Sequence, residues 1–216
     1  MAAKARRKSA GGRPSRERAQ KIRDDILDIA TRLFLEHGYG ATSIEAVAQA
    51  ARMSKRTFYA RFDDKEALFA GVVERLVGRL RPKDPAPFFS GGSLEDILNR
   101  LARLILHAAL MPDAVALHRL ILAEAGRFPE LARIADSQGG RHDAIEHIAA
   151  LLDAHAVRPD RAASRIAAEQ FLQLVVTTPQ RRAMGLGGTP MNETEAAHWA
   201  RDAVALFLHG YPANPR

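Results

Sequence analysis

The chain of 216 residues contains no cysteine. Disulfide staples, thiolate metal ligands and a cysteine nucleophile are thereby excluded, and a reducing compartment fits. Aromatic residues are sparse, with a single tryptophan and three tyrosines. The core must therefore come mainly from leucine, isoleucine, valine and alanine. No run approaches the ~18–20 uninterrupted apolar residues of a membrane span, and the basic start is not followed by an apolar signal core. A soluble, cytoplasmic protein without a membrane partner is expected. Strand-like alternation is missing throughout, which implies an all-α fold. Also missing are a nucleophile elbow, a phosphate loop and a dinucleotide glycine pattern. Two histidines flanking a glutamate at metalloprotease spacing are absent as well, although His142 and Glu146 would share a helix face. The sequence thus gives no support for catalysis, a metal or a cofactor.

What is present is positive charge, confined to one end. Residues 1–62 hold 14 lysines and arginines against 6 acidic residues, whereas residues 63–216 hold 18 against 19. Clustered cations displace condensed counterions from a polyanion, so this end implies a nucleic-acid partner bound with salt-sensitive affinity. Residues 1–15, MAAKARRKSAGGRPS, lack apolar periodicity and read as a flexible arm. Within it Gly12, Arg13 and Pro14 match the slim segments that place an arginine in a narrow minor groove; a plain solubilising tail is the alternative.

The stretch from Thr42 to Phe62, TSIEAVAQAARMSKRTFYARF, spells two short helices around a tight turn. Thr42 and Glu45 have capping-box spacing, and Ile44, Val47 and Ala48 fall on one face. After a turn at Ala51, Arg52 and Met53, Ser54 is placed to cap a second helix. Its Phe58 points inward, and Lys55, Arg56, Thr57, Tyr59 and Arg61 stay outside. Such a helix suits entry into a major groove. Before it, Ile22, Ile26, Ile29, Ala30, Leu33 and Phe34 define a helix over Arg16–His37 that Gly38 terminates. After it, Asp63 and Glu66 are spaced to cap a helix carrying Leu68, Phe69, Val72, Val73, Leu76 and Leu80. That helix would join both halves of the chain and carry displacements between them.

From about Arg18 to Leu76, with EHGYGATS, IEAVAQAARMSKRTFYARF and DDKEALF in order, the chain resembles the TetR family of one-component bacterial transcriptional regulators. The resemblance implies an all-α fold: an N-terminal three-helix helix-turn-helix DNA-binding domain joined to a larger C-terminal helical ligand-binding and dimerisation domain. It implies that Ser54, Lys55, Arg56, Thr57 and Tyr59 touch bases and phosphates. It sets Thr42 and Ser43 where the second helix abuts the DNA backbone, and Lys65 at a phosphate. One position departs from the family pattern: Arg52 stands where the turn usually has glycine, at a site that requires positive φ.

The organisation expected is an arm at 1–15, a DNA-binding domain at 16–62, a connecting helix at 63–80 and an effector-binding and dimerisation domain at 81–216. The prolines and glycines of 81–92 mark a linker. Ser93 caps a largely apolar helix, a segment from 130 to 156 breaks at Gly139 and Gly140, and two long helices follow at about 159–184 and 192–210. The last two carry seams of small and apolar residues: Ala163, Ala167, Gln170, Phe171, Leu174 and Val175 on one, and Ala200, Ala203, Val204, Phe207, Leu208 and Tyr211 on the other. Such seams fit either burial within one chain or pairing of two copies; the resemblance implies the homodimer. Leu101, Ile105, Leu110, Leu117, His118, Ile121, Phe128, Ile145 and Ile148 are candidates to line a cavity for a small, largely apolar effector, or are plain core. His107 and His118 interrupt apolar helices and are its candidate polar contacts. The reading is a ligand-responsive repressor of a palindromic double-stranded operator, with an architectural DNA-binding protein without effector as the alternative and an enzyme less favoured.

Overall fold

The computed structural model describes residues 16–80, 84, 86–155 and 160–210, and among these it contains eleven helices and no strand. The helices are α1 (Arg16–His37), α2 (Ile44–Ala50), α3 (Lys55–Tyr59), α4 (Lys65–Leu80), α5 (Ala86–Phe89) and α6 (Leu94–Leu110). They continue with α7 (Pro112–Glu124), α8 (Pro129–Gln138), α9 (Gly140–Ala154), α10 (Arg161–Ala183) and α11 (Glu193–His209). Among the described residues, no single helix is long and apolar enough to cross a membrane.

The helix ends follow side-chain chemistry. At α6 the Ser93 hydroxyl accepts from the Asp96 amide while Asp96 accepts from the Ser93 amide, and Asn192 and Glu195 repeat this reciprocal arrangement at α11. Asp160 caps α10 through the Ala163 amide at 2.8 Å. At α4 the cap is Asp64, whose Oδ1 accepts from the Ala67 amide at 2.7 Å, one residue later than the Asp63–Glu66 spacing suggested. Gly38, at φ 86°, turns the chain out of α1 as expected.

Two apolar cores result, and they do not follow chain order. The first gathers α1 to α4, and α7 and α8 close over it with Leu117, Leu120, Leu131 and Ile134. Its centre is aromatic: Phe34, Phe69 and Phe128 surround Tyr39 with ring centroids 5.6, 5.3 and 5.2 Å away. The second core joins α6, α9, α10 and α11 through Leu98, Leu106, Ile148, Leu152, Phe171, Val175 and Val204. Fully burying a side chain of this size contributes about 1.5–3 kcal/mol, so each core is anchored by several such terms. The small-residue seams divide. Ala167, Phe171, Val175, Ala200, Ala203 and Val204 are buried within the chain, whereas Gln170 and, one residue off the seam, Ile166 face outward.

Arg75 of α4 reaches Asp24 and Asp28 of α1, and Arg79 reaches Asp28 as well. Burial pushes the Asp28 carboxyl up, but the two guanidiniums outweigh it and hold the carboxyl below the usual aspartate range. These pairs bridge α1 and α4 at the edge of their shared apolar core.

Candidate nucleic-acid interface

The helix pair α2–α3 is built as a rigid wedge. Ser43, not Thr42, caps α2, accepting from the Ala46 amide at 3.1 Å. Thr42 is buried, 3% exposed, and its hydroxyl faces the carbonyls of Gly38 at 2.8 Å and Leu33 at 3.1 Å. The expected Thr42–Glu45 capping box is therefore absent, and the Thr42 hydroxyl points into the fold, away from the surface where a phosphate contact was expected. Its inward bonds tie α2 to the end of α1.

The turn places Arg52 at φ 51°, the one non-glycine residue with positive φ among those described. Left-handed backbone costs a residue with a Cβ about 1–2 kcal/mol, and the rest of the wedge must hold it there. Ser54 then caps α3, accepting from the Thr57 amide at 3.1 Å, and its hydroxyl also lies 2.9 Å from that of Thr57. Phe58 is fully buried and packs on Phe62, over whose ring sits the Arg23 guanidinium at 4.5 Å. With this anchor inward, Ser54, Lys55, Arg56 and Tyr59 are turned to solvent and Thr57 is half-buried. Arg61 differs from expectation. Its Nη1 folds back to donate to the Thr57 carbonyl at 2.8 Å, which closes α3 and withdraws its guanidinium from the exposed face.

Sequence reasoning missed an ion pair on this face: Lys55 Nζ lies 2.7 Å from Glu45 Oε1. Lys65 was expected at a phosphate, and it sits at the border of the surface. Its ammonium lies 4.3 Å above the Tyr39 ring and donates to the Gly40 carbonyl at 3.4 Å; burial pushes it below the usual lysine range. Ser43 is exposed at the start of α2. Arg13 lies outside the described residues.

A second missed feature joins the wedge to the rest of the molecule. Glu124, at the end of α7, accepts from the Tyr39 amide at 2.8 Å and the Gly40 amide at 2.7 Å. The glycines on either side of Tyr39 make this approach possible: a Cβ at Gly38 would stand 2.5 Å from Glu124 Oε1, and one at Gly40 would stand 3.0 Å from the Phe128 ring. Glu66 of α4 pairs with Arg133 of α8 at 2.8 Å nearby. The α7–α8 corner thus grips the α1–α2 turn directly, in addition to the link through α4.

The effector-cavity candidates are not brought together. Leu117, Ile121 and Phe128 belong to the first core, whereas Leu101, Ile145 and Ile148, with Ile105 and Leu110 at the margin, belong to the second. His118 is half-buried, and burial pushes its imidazole below the usual range, towards the neutral form. His107 is exposed, contrary to its expected place in a cavity. None of these residues lines the cleft of about 660 Å³ between α1, α4 and the α8–α9 junction, whose walls include Arg23, Asp24, Glu74, Arg75 and Asp143.

These features agree with matching family models, curated relatives and solved structures. A family model for bacterial regulatory proteins of the TetR family matches residues 26–72, and one for the C-terminal domain of AefR-like transcriptional repressors matches residues 96–213. The transcriptional repressor ComR of Escherichia coli strain K12 is 42% identical over 67 residues, 31% of this chain and 32% of ComR. The matches span between about a third and just over half of the length of such curated relatives. Among solved structures, a TetR-family transcriptional regulator from Mesorhizobium loti superposes with a TM-score of 0.73 at 27% identity, over 91% of this chain and 99% of that one. The flavonoid-responsive regulator FrrA superposes with a TM-score of 0.69 at 33% identity, over 88% of this chain and 96% of its own. With both halves matched in order, and a helix-turn-helix wedge whose outer α3 face is exposed, the chain belongs to the TetR family of bacterial transcriptional regulators.

Proposed function

We propose that the protein is a ligand-responsive repressor that binds a palindromic operator as a homodimer. The observation that carries this reading is the exposed face of α3: Ser54, Lys55, Arg56 and Tyr59 are turned to solvent above a Phe58 that is fully buried. In this reading the α3 residues, including half-buried Thr57, read base edges. Ser43, Tyr59 and Lys65 hold the DNA backbone, and Arg13 enters the adjacent minor groove. Residues 16–62 act as the reading domain and α4 as the connector. Ile166, 58% exposed on α10, supports a second copy covering the outer face of α10 and α11. The repressor names carried by ComR and by the C-terminal family model favour repression over activation.

The effector is a small, largely apolar molecule lodged between α6, α9 and α10, beside Leu101, Ile105 and Ile148; the likeness to flavonoid-responsive FrrA supports an aromatic member of this class. Binding changes DNA affinity only if the effector prefers one arrangement of the two halves over another. The grip of Glu124 and Phe128 on Tyr39 supplies a route, since motion of α7 reaches the α1–α2 turn without passing through α4. The test is genome-wide recovery of DNA bound by the full-length chain. One or a few discrete sites beside promoters are expected. Dispersed binding without discrete sites would favour an architectural DNA-binding protein instead.

A further inference from the structure

The face presented by α3 includes a carboxylate among its cations. Glu45 and Lys55 are paired across the wedge at 2.7 Å, with side chains 54% and 62% exposed. Ser43 supplies the side-chain cap of α2, so Glu45, in the first turn, is not required as the cap. Pairing with Glu45 holds the Lys55 ammonium above the usual lysine range, and pairing with Lys55 holds the Glu45 carboxyl below the usual glutamate range. An exposed pair of this kind contributes little to stability. A carboxylate beside a phosphate-binding surface also opposes the approach of any duplex. Its effect therefore falls on which DNA is bound.

A lysine that reaches a phosphate of arbitrary DNA releases counterions and adds about 0.9 to the slope of log affinity against log salt. Paired with Glu45, Lys55 brings no net charge, so an arbitrary duplex gains nothing from it. A guanine edge is different, because its O6 and N7 offer the ammonium directed acceptors inside the groove that replace the carboxylate. We propose that Glu45 is a specificity-determining residue, which withholds Lys55 from phosphates of non-operator DNA and yields it to a base edge in the operator. This rests on the regulator reading above and names a residue that the reading does not require.

The experiment compares the full-length protein with Glu45→Gln, Lys55→Gln and the double variant. Each is titrated by fluorescence anisotropy onto a scrambled duplex and onto an operator recovered by selection from randomised duplexes, over about 50–200 mM salt. For Glu45→Gln on scrambled duplex, the salt slope is expected to steepen by about 0.9 per subunit, with affinity rising several-fold. Affinity for the operator should change less, so the ratio of the two falls. In the Lys55→Gln background, Glu45→Gln should change neither quantity. An unchanged slope, an equal gain on both duplexes, or the same steepening without Lys55 would each overturn the proposal. Failure of the parent protein to prefer any duplex would instead sink the regulator reading, and the slopes on scrambled duplex would still decide the role of Glu45.

Discussion

Glu124→Gln is the sharpest perturbation of the join between the two halves, because it preserves size and removes half of a two-pronged contact. Glu124 offers one oxygen to the Tyr39 amide and the other to the Gly40 amide. A glutamine keeps one acceptor and turns an NH₂ group toward the remaining N–H, so one bond is lost and two donors face each other. A hydrogen bond to a charged acceptor contributes about 1.5–3 kcal/mol, and the Gly40 contact is exposed, so about 2 kcal/mol is expected. For a chain of this size that is a fall of about 4–8 °C in the thermal midpoint, read by calorimetry at matched protein concentration. Operator affinity should fall as well, because Thr42 hangs α2 from the same turn. Gly40→Ala approaches the contact from the other side: its Cβ would meet the Phe128 ring at 3.0 Å and Glu124 Oε2 at 3.2 Å, and about 1 kcal/mol is expected. Glu36→Gln is the control, since its 3.4 Å pair with Arg32 is exposed and should contribute under about 0.5 kcal/mol. If Glu124→Gln shifted the midpoint no more than Glu36→Gln does, the grip of α7 on the turn would be refuted.

Three further outcomes are expected. Arg56→Ala should weaken operator binding by about 1–3 kcal/mol and leave random duplex little changed; an equal loss on both would reassign Arg56 to a phosphate. Arg52→Gly removes a left-handed strain of about 1–2 kcal/mol at φ 51° against about 0.5–1 kcal/mol of added chain entropy, so chemical denaturation should show a stability equal to or up to about 1.5 kcal/mol above the parent. The Asp28 carboxyl is held below its ordinary value of 3.8, so the stability it confers is present above that pH and is lost as pH falls through the folded-state value. Denaturation midpoints measured from neutral to acid pH should fall less for Asp28→Asn than for the parent in the acid range.

The local architecture was legible because it is written in short-range chemistry. The span of α1, the cap at Ser54, the inward Phe58 and the reciprocal caps at Ser93 and Asn192 all depend on near neighbours in sequence, whereas the positive φ at Arg52 is expected from the family resemblance alone. Caps with two adjacent candidates differ from the sequence reading by one position, at Thr42 against Ser43 and Asp63 against Asp64, because either hydroxyl or carboxylate satisfies the spacing; burial of Thr42 decides the first, and nothing in the spacing decides the second. The long-range features were not legible. Nothing in the spacing of Glu124 announces a partner 85 residues away, and the apolar periodicity of α7 is the same whether it faces the C-terminal core or, as found, closes over the N-terminal one. For that reason the effector-cavity candidates were drawn as one set and fall into two cores. Arg61 carries the same charge as Arg56, and only packing folds it back onto α3.

The most direct measurement is selection of bound duplexes from a randomised pool by the full-length protein, followed by footprinting of the enriched sequence. The account predicts a twofold-symmetric site whose half-sites lie about 10–10.5 base pairs apart or a multiple of this, protected on one face of the duplex. Enrichment of no sequence, or of a site without symmetry, would contradict it.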